Sequence, residues 1–138
     1  MAKYQTKKKP NPYLQISSMR SLFPQFTIKK KSKTEVEFVG ELRPKENMPS
    51  YKVLILYRGN LRPHVKVLDP LLVEKPPHFY SKSKTLCLYH PKDFNWTHNK
   101  LIAKHIVPIT SAWIYFYEVW LECGKWYGPE AKHSAAKE

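Results

Sequence analysis

The fold is decided by residues 35–68, which read EVEFVGELRPKENMPSYKVLILYRGNLRPHVKVL. Apolar side chains alternate with glutamates along residues 35–42, which predicts a strand with one buried face. Residues 51–57 are apolar on both faces, as expected for a central strand, and residues 64–68 alternate again. The polar connectors are short enough for antiparallel neighbours. The stretch therefore predicts three strands of an antiparallel meander.

The flanking residues extend this sheet and place a helix before it. Phe26 and Ile28 alternate with polar residues and add a first strand, so we expect four strands in all. Asn11-Pro12 is a helix-start signal, because a capping side chain precedes a proline suited to the first helical turn. An apolar stripe at helical spacing follows, and Pro24 ends it. The first predicted element of the chain is thus a short helix.

The second half of the chain predicts a long loop and then helices. Residues 69–98 lose all periodicity and contain several prolines. A helical pattern then covers residues 101–106, and Pro108 is expected to end it. Residues 111–123 are apolar almost all round, so this helix is either internal core or a docking surface, with Gly124 suited to its end. The fold class predicted is α+β.

Length and composition exclude several classes of protein. A chain of 138 residues with 42% hydrophobic residues suggests one folded domain and not a disordered one. It has no apolar run near the roughly 18 residues of a membrane span, and no apolar segment follows the first lysines as in a secretory signal. With only two cysteines, a disulfide scaffold is not expected. We expect a cytoplasmic protein without a membrane partner.

The net charge of +13 is concentrated at one end of the chain. Residues 1–34 carry nine basic and no acidic residues, whereas residues 35–138 carry 15 basic and 11 acidic residues. Such a region can attract phosphates or an acidic protein surface, or it can be a solvated tail that keeps the protein soluble. A non-catalytic basic binding module is therefore the alternative to any enzymatic function.

Cys87 is the side chain best suited to act as a nucleophile in this sequence. It lies in the proline-rich segment with His78 upstream and His90 downstream, and a thiol in a loop near cationic side chains can act as a nucleophile. A cysteine between two leucines can equally be a small buried hydrophobe. Zinc ligation by Cys87, His90 and a distant Cys123 or His98 lacks the paired short spacings of structural sites, so no metal is predicted. Cys123 is expected to pack in the core or at the end of the helix.

The order of these elements resembles the ubiquitin-conjugating enzyme fold. Tyr57 followed by Pro63-His64-Val65 is similar to that family's Tyr-Pro…Pro-x-Val segment, and residues 76–80 fall where the family has His-Pro-Asn. Leu86-Cys87-Leu88 matches its active-site core, and Trp96 matches its downstream tryptophan. The resemblance covers residues 11–126. It places a conjugating domain at 11–128, between a basic flexible tail at 1–10 and a C-terminal tail at 129–138.

Two patterns resemble the bacterial branch found in anti-phage CBASS operons. They are His78-x-Tyr80 before Leu-Cys-Leu-Tyr-x-Pro, and the ending that runs from Tyr117 to Gly128. The resemblance implies a thioester between Cys87 and the C-terminus of a cGAS-like nucleotidyltransferase, which is then passed to an amine. It implies no cofactor and no nucleic-acid partner. Because a fused adenylating domain would not fit in this length, it also implies the short operon type or a separate activating protein.

The resemblance assigns supporting roles and leaves one of them open. The family's asparagine, a proposed oxyanion stabiliser, aligns with Tyr80 or its neighbour, so His78, Tyr80 or a backbone N–H is expected to polarise the thioester carbonyl. Asp93 is expected either to orient or deprotonate an incoming lysine, or simply to form a turn before Trp96. Trp96 is expected to anchor the loop that carries Cys87.

Overall fold

A computed structural model describes residues 9–129 of the chain. The elements in chain order are helix α1 (Pro12–Leu22), strands β1 (Thr27–Lys30), β2 (Glu35–Leu42), β3 (Tyr51–Arg58), β4 (Leu61–Asp69), β5 (Phe79–Tyr80) and β6 (Thr85–Leu86), a π-helical turn (Ile102–Ile106) and helix α2 (Val107–Cys123). In this part of the chain no helix has both the length and the apolar character to cross a membrane. The predicted tails lie almost wholly outside the described residues.

The four long strands form the predicted meander. All neighbours are antiparallel, and the order is β1-β2-β3-β4. The register places Phe38 opposite Ile55 and Ile55 opposite Val65, and all three are buried on the face that carries the core. The alternation in the sequence therefore predicts the buried face correctly, because every second side chain of a strand points to the same side. The α+β class is confirmed.

Helix α1 begins where its capping signal predicts. The Asn11 side chain accepts a hydrogen bond from the Leu14 backbone N–H at 3.1 Å, and Pro12 occupies the first turn. Gln15, although polar, is only 1% exposed. Its amide donates to the Lys100 carbonyl at 2.7 Å and accepts from the Ile102 N–H at 2.9 Å. This one side chain therefore joins α1 to the start of the π-helical turn.

The predicted break at Pro108 is wrong. The π-helical turn runs directly into α2, and Pro108 lies in the first turn of α2. The proline lacks an N–H for the helical ladder, and the ladder is irregular just before it, because the Val107 N–H donates to the Ile102 carbonyl five residues back. Helix α2 packs one face into the core through Trp113, Ile114 and Tyr117, so it is at least in part internal. Gly124 ends it in the left-handed region (φ 76°), as predicted.

Two details of α2 and the loop differ from the sequence pattern. Glu118 is a charged residue in a helix that is otherwise mostly apolar, a pattern that predicts an exposed edge, but it accepts a hydrogen bond from the Tyr51 hydroxyl and is half-buried. The proline-rich segment contains the β5–β6 ribbon, in which Phe79 pairs with Leu86 and Tyr80 with Thr85. Strands of two residues are too short to show an alternating pattern, so the sequence gives no signal for them. This ribbon positions Cys87.

Candidate active site

Cys87 directly follows β6 and extends its pairing with β5. Its backbone N–H donates to the His78 carbonyl at 2.9 Å. The same carbonyl accepts a hydrogen bond from the Trp113 indole N–H of α2 at 3.1 Å. His78 adopts a left-handed backbone conformation (φ 51°), which histidine tolerates better than most residues. The cysteine is therefore held at a fixed position between the ribbon and α2.

The Cys87 side chain is buried, as the interpretation of a cysteine between two leucines as a small hydrophobe predicts, and it does not lie open in the loop. It is 6% exposed, because neighbouring aromatic and aliphatic side chains cover it. It nevertheless lines a cavity of about 180 Å³. The cavity wall is mostly apolar and includes Leu88, Ile109, Trp113, Phe116 and Trp126, with His78 as its polar member. The thiol thus has a neighbouring space in which another group can lie.

Tyr80 makes direct contact with the thiol. Its hydroxyl donates a hydrogen bond to the Cys87 sulfur. Burial, followed by this hydrogen bond, raises the pKa of Tyr80 to about 12. The phenol is therefore protonated at neutral pH and can act as a donor. The resemblance groups Cys87, His78 and Tyr80, and in the structure His78 and Tyr80 both lie next to Cys87.

The segment after α2 covers the cavity. Gly124 turns the chain back, and Trp126 then packs against His78 with 4.9 Å between ring centroids. Trp126 also contacts Trp113 and Phe116 of α2, at 5.8 and 5.9 Å. A Cβ atom at Gly128 would lie 2.7 Å from a ring carbon of Phe116, so only glycine allows this close approach. In the sequence Trp126 is recognisable only as part of the ending from Tyr117 to Gly128, since nothing in the sequence indicates that the chain returns to the cysteine.

Trp96 and Asp93 occupy different surroundings. Trp96 is 8% exposed, donates its indole N–H to the Gly59 carbonyl at 2.9 Å and packs edge-on against Tyr57. It therefore ties the loop after Cys87 to the β3–β4 turn, as an anchor would. Asp93 is exposed in a turn, where its N–H donates to the His90 carbonyl at 2.8 Å. It is not among the residues that line the cavity.

A group of cations on β3 and β4 lies next to the site, and the sequence pattern does not reveal it. The Arg62 guanidinium lies 4.4 Å from the centre of the Tyr80 ring. Arg58 donates to the Arg62 carbonyl, at 3.0 Å from its Nε atom. Tyr89 interacts electrostatically with both arginines and with Cys87, and its buried hydroxyl has no hydrogen-bond partner among the described residues. The alternation on β4 could have placed Arg62 and Lys66 on one face, but it could not place them next to Cys87.

The remaining sequence predictions concern metals and the second cysteine. Residues 9–129 contain no group of three or more His, Cys, Asp or Glu side chains arranged to hold a metal ion. Cys123 is exposed at the last residue of α2, and its thiol donates to the Lys125 carbonyl at 3.7 Å. Cys123 therefore lies at the end of the helix, and the alternative prediction that it packs in the core is wrong.

Comparison with known proteins gives one family. A family model described as "Type II CBASS E2 protein" matches residues 15–134, which is most of the chain. Comparison with curated proteins gave no match.

Proposed function

The chain belongs to the family of type II CBASS E2 proteins, and from that membership we propose that it is a conjugating enzyme with Cys87 as its acyl carrier. In this proposal Cys87 carries the C-terminus of a cGAS-like nucleotidyltransferase as a thioester and transfers it to an amine. The observation that carries the proposal is the position of Cys87, which lines a cavity and accepts a hydrogen bond from Tyr80.

The proposed chemistry has two steps. The Cys87 thiolate attacks the carbonyl carbon of an activated C-terminus, a C–S bond forms, and the activating group leaves. An amine then attacks the same carbon, a C–N bond forms, the C–S bond breaks, and the amine proton is released while the sulfur leaves as thiolate. The carbonyl oxygen gains negative charge in both steps, so a donor placed beside it lowers the barrier.

Tyr80 and His78 are the two side chains proposed to supply that donor. The Tyr80 hydroxyl lies next to the reacting sulfur and keeps its proton at neutral pH. His78 lines the cavity and is held there by its contact with Trp126. Asp93 and Trp96 act at a greater distance in this proposal, Asp93 by orienting an amine and Trp96 by holding the loop.

The experiment uses the full chain, a cGAS-like nucleotidyltransferase from a type II CBASS operon and, where that operon encodes one, its activating protein. A mixture is expected to form an adduct that a thiol reductant cleaves. Cys87→Ser is expected to replace it with a reductant-resistant ester, and Cys123→Ser is the matched control that retains the thioester. Persistence of the cleavable adduct in Cys87→Ala would exclude Cys87 as the carrier.

The low exposure of Cys87 is the observation that favours the alternative, a non-catalytic binding module on the same scaffold. A thiol that never becomes accessible cannot carry another protein. In that case Cys87 would resist iodoacetamide in the native chain at every pH, and it would react only at the rate of global unfolding. The conjugating function requires faster labelling than unfolding allows.

A further inference from the structure

The surface beside Cys87 carries a group of positively charged side chains on β3 and β4. On β4, Arg62, His64 and Lys66 alternate with the buried Pro63 and Val65, so the three lie on one side of the strand. Arg58 of β3 contacts Arg62 through the carbonyl of that residue. We call Arg58, Arg62 and Lys66 the β4 basic strip.

Among the described residues, none of the three cations of this strip forms an ion pair within 4.0 Å with an acidic side chain. Within the described residues 9–129, an ion pair at 4.0 Å joins Lys31 and Glu37. This pair lies near the β1 edge of the sheet, opposite the β4 edge. The glutamates of β2 are two strands from β4, roughly 10 Å, which is about one Debye length at 0.1 M salt. Glu35, opposite Arg58 in the register, interacts electrostatically with Arg58. Arg62 is half-buried and Lys66 is exposed, and neither takes part in an ion pair within the described part of the chain.

The state of His64 is consistent with this field. Burial, followed by the charges of Arg58, Arg62 and Lys66, lowers the pKa of His64 to about 4. The strip is therefore positive at neutral pH without a contribution from His64.

The strip also lies within reach of the proposed acyl site. Tyr80 contacts both groups, because the Arg62 guanidinium lies over its ring at 4.4 Å and its hydroxyl is hydrogen-bonded to the Cys87 sulfur. An extended chain advances about 3.3–3.6 Å per residue, so side chains roughly two to four residues before a carbonyl held at Cys87 reach Arg62.

We propose that the β4 basic strip binds acidic side chains in the tail whose carboxyl end is carried on Cys87. This inference rests on the proposed function and deepens it by giving the chemistry of the substrate tail. A nucleic acid is the less favoured occupant. The strip consists of three cations beside the proposed acyl-transfer site, whereas a nucleic-acid backbone is usually bound by a longer row of cations along a groove. Surface charge of this kind chiefly guides association and selects among partners.

The test measures binding without any transfer chemistry. The full chain carrying Cys87→Ser is titrated against two short fluorescein-labelled peptides, identical except that one has three glutamates where the other has three glutamines. Both end in an amide, so that they differ only in side-chain charge. The glutamate peptide is expected to bind about five- to tenfold more tightly at low salt, and the difference should shrink as salt rises.

Paired variants locate the effect. Arg62→Gln with Lys66→Gln is expected to abolish the preference for glutamate. Lys29→Gln with Lys33→Gln, an equal change of charge at exposed positions of the N-terminal region, is expected to retain it. Equal binding of the two peptides, absence of binding, or a preference that survives loss of Arg62 and Lys66 would overturn the proposal. So would tighter, strip-dependent binding of single-stranded oligothymidine. Because no thioester forms in this assay, its failure leaves the adduct experiment unaffected.

Discussion

The indole ring of Trp126 lies 4.9 Å from the imidazole ring of His78, so the segment after α2 covers the cavity beside Cys87. A protein tail that reaches the thiol must displace this segment, at least in part. Trp126→Ala is expected to raise the rate at which iodoacetamide alkylates Cys87 by about tenfold, the factor that corresponds to about 1.4 kcal/mol of lost aromatic contact. The measurement uses a Cys123→Ser background, because Cys123 is exposed and would react as well.

Two further variants check that the effect comes from this cover. Gly128→Ala is expected to accelerate alkylation too, since its new methyl group would collide with Phe116. Tyr127→Ala removes a neighbouring aromatic side chain that is 60% exposed, and it is expected to leave the rate unchanged. Equal rates in all of these variants would mean that the segment does not restrict access to Cys87.

Gln15 predicts a stability effect far from the cysteine. Gln15→Leu would leave the Lys100 carbonyl and the Ile102 N–H without their side-chain partner in a buried place. Each unpaired buried group costs about 1–3 kcal/mol, so we expect the free energy of unfolding to fall by roughly 2–5 kcal/mol. Urea unfolding followed by tryptophan fluorescence measures this change.

The control for Gln15 lies on the exposed side of the same helix. Ser17→Leu makes a similar change where the hydroxyl donates to the Leu14 carbonyl at the surface. It is expected to change stability by less than about 1 kcal/mol. A small loss in Gln15→Leu would show that water or a rearranged backbone satisfies both groups.

The sequence predicts the sheet well because each strand carries its own signal. Val36, Phe38 and Gly40 face the core as their alternation requires. Asn11 and Gly124 likewise mark helix ends, because capping and left-handed geometry depend on single residues. These features are local, and local chemistry can be read from a sequence.

The site is only partly predictable because its assembly is not local. Cys87, His78 and Tyr80 were identified through resemblance to a family, and the structure brings them together. The covering of Cys87 by Trp126 depends on contacts across dozens of residues. The placement of Arg62 over Tyr80 depends on how β4 meets the β5–β6 ribbon. Such long-range packing leaves no periodic pattern in the chain.

His64 predicts a dependence of stability on pH. Its folded pKa of about 4 lies below its ordinary value of 6.5, so the unfolded chain takes up a proton at a higher pH than the folded chain. Stability contributed by the neutral ring is present above pH 6.5 and is lost as the pH falls from 6.5 toward 4. The native chain is therefore expected to lose more stability between pH 7 and pH 5 than His64→Gln does.

Urea midpoints of both proteins at the two pH values measure the difference. His105→Gln is the comparison, because His105 is exposed and lies away from the β4 basic strip. It should lose as much stability on acidification as the native chain. Equal losses in the native chain and in His64→Gln would contradict the electrostatic account of Arg58, Arg62 and Lys66 acting on His64.

Tyr80 and His78 can be separated as candidates for the donor to the carbonyl oxygen. Tyr80→Phe removes only the hydroxyl that contacts the Cys87 sulfur, and the ring beneath Arg62 remains. If Tyr80 stabilises the oxyanion, transfer from a preformed Cys87 adduct to an amine should slow by about a hundredfold, as when other oxyanion donors are removed. Single-turnover decay of the adduct measures this rate without the loading step.

His78→Gln is the matched variant, because its amide can still donate from the same position, and we expect its transfer rate to fall by no more than about tenfold. An unchanged transfer rate in Tyr80→Phe, together with a large fall of the rate in His78→Gln, would assign the donor to the carbonyl oxygen to His78. The reason is that only the group beside the developing negative charge can alter the rate of this step.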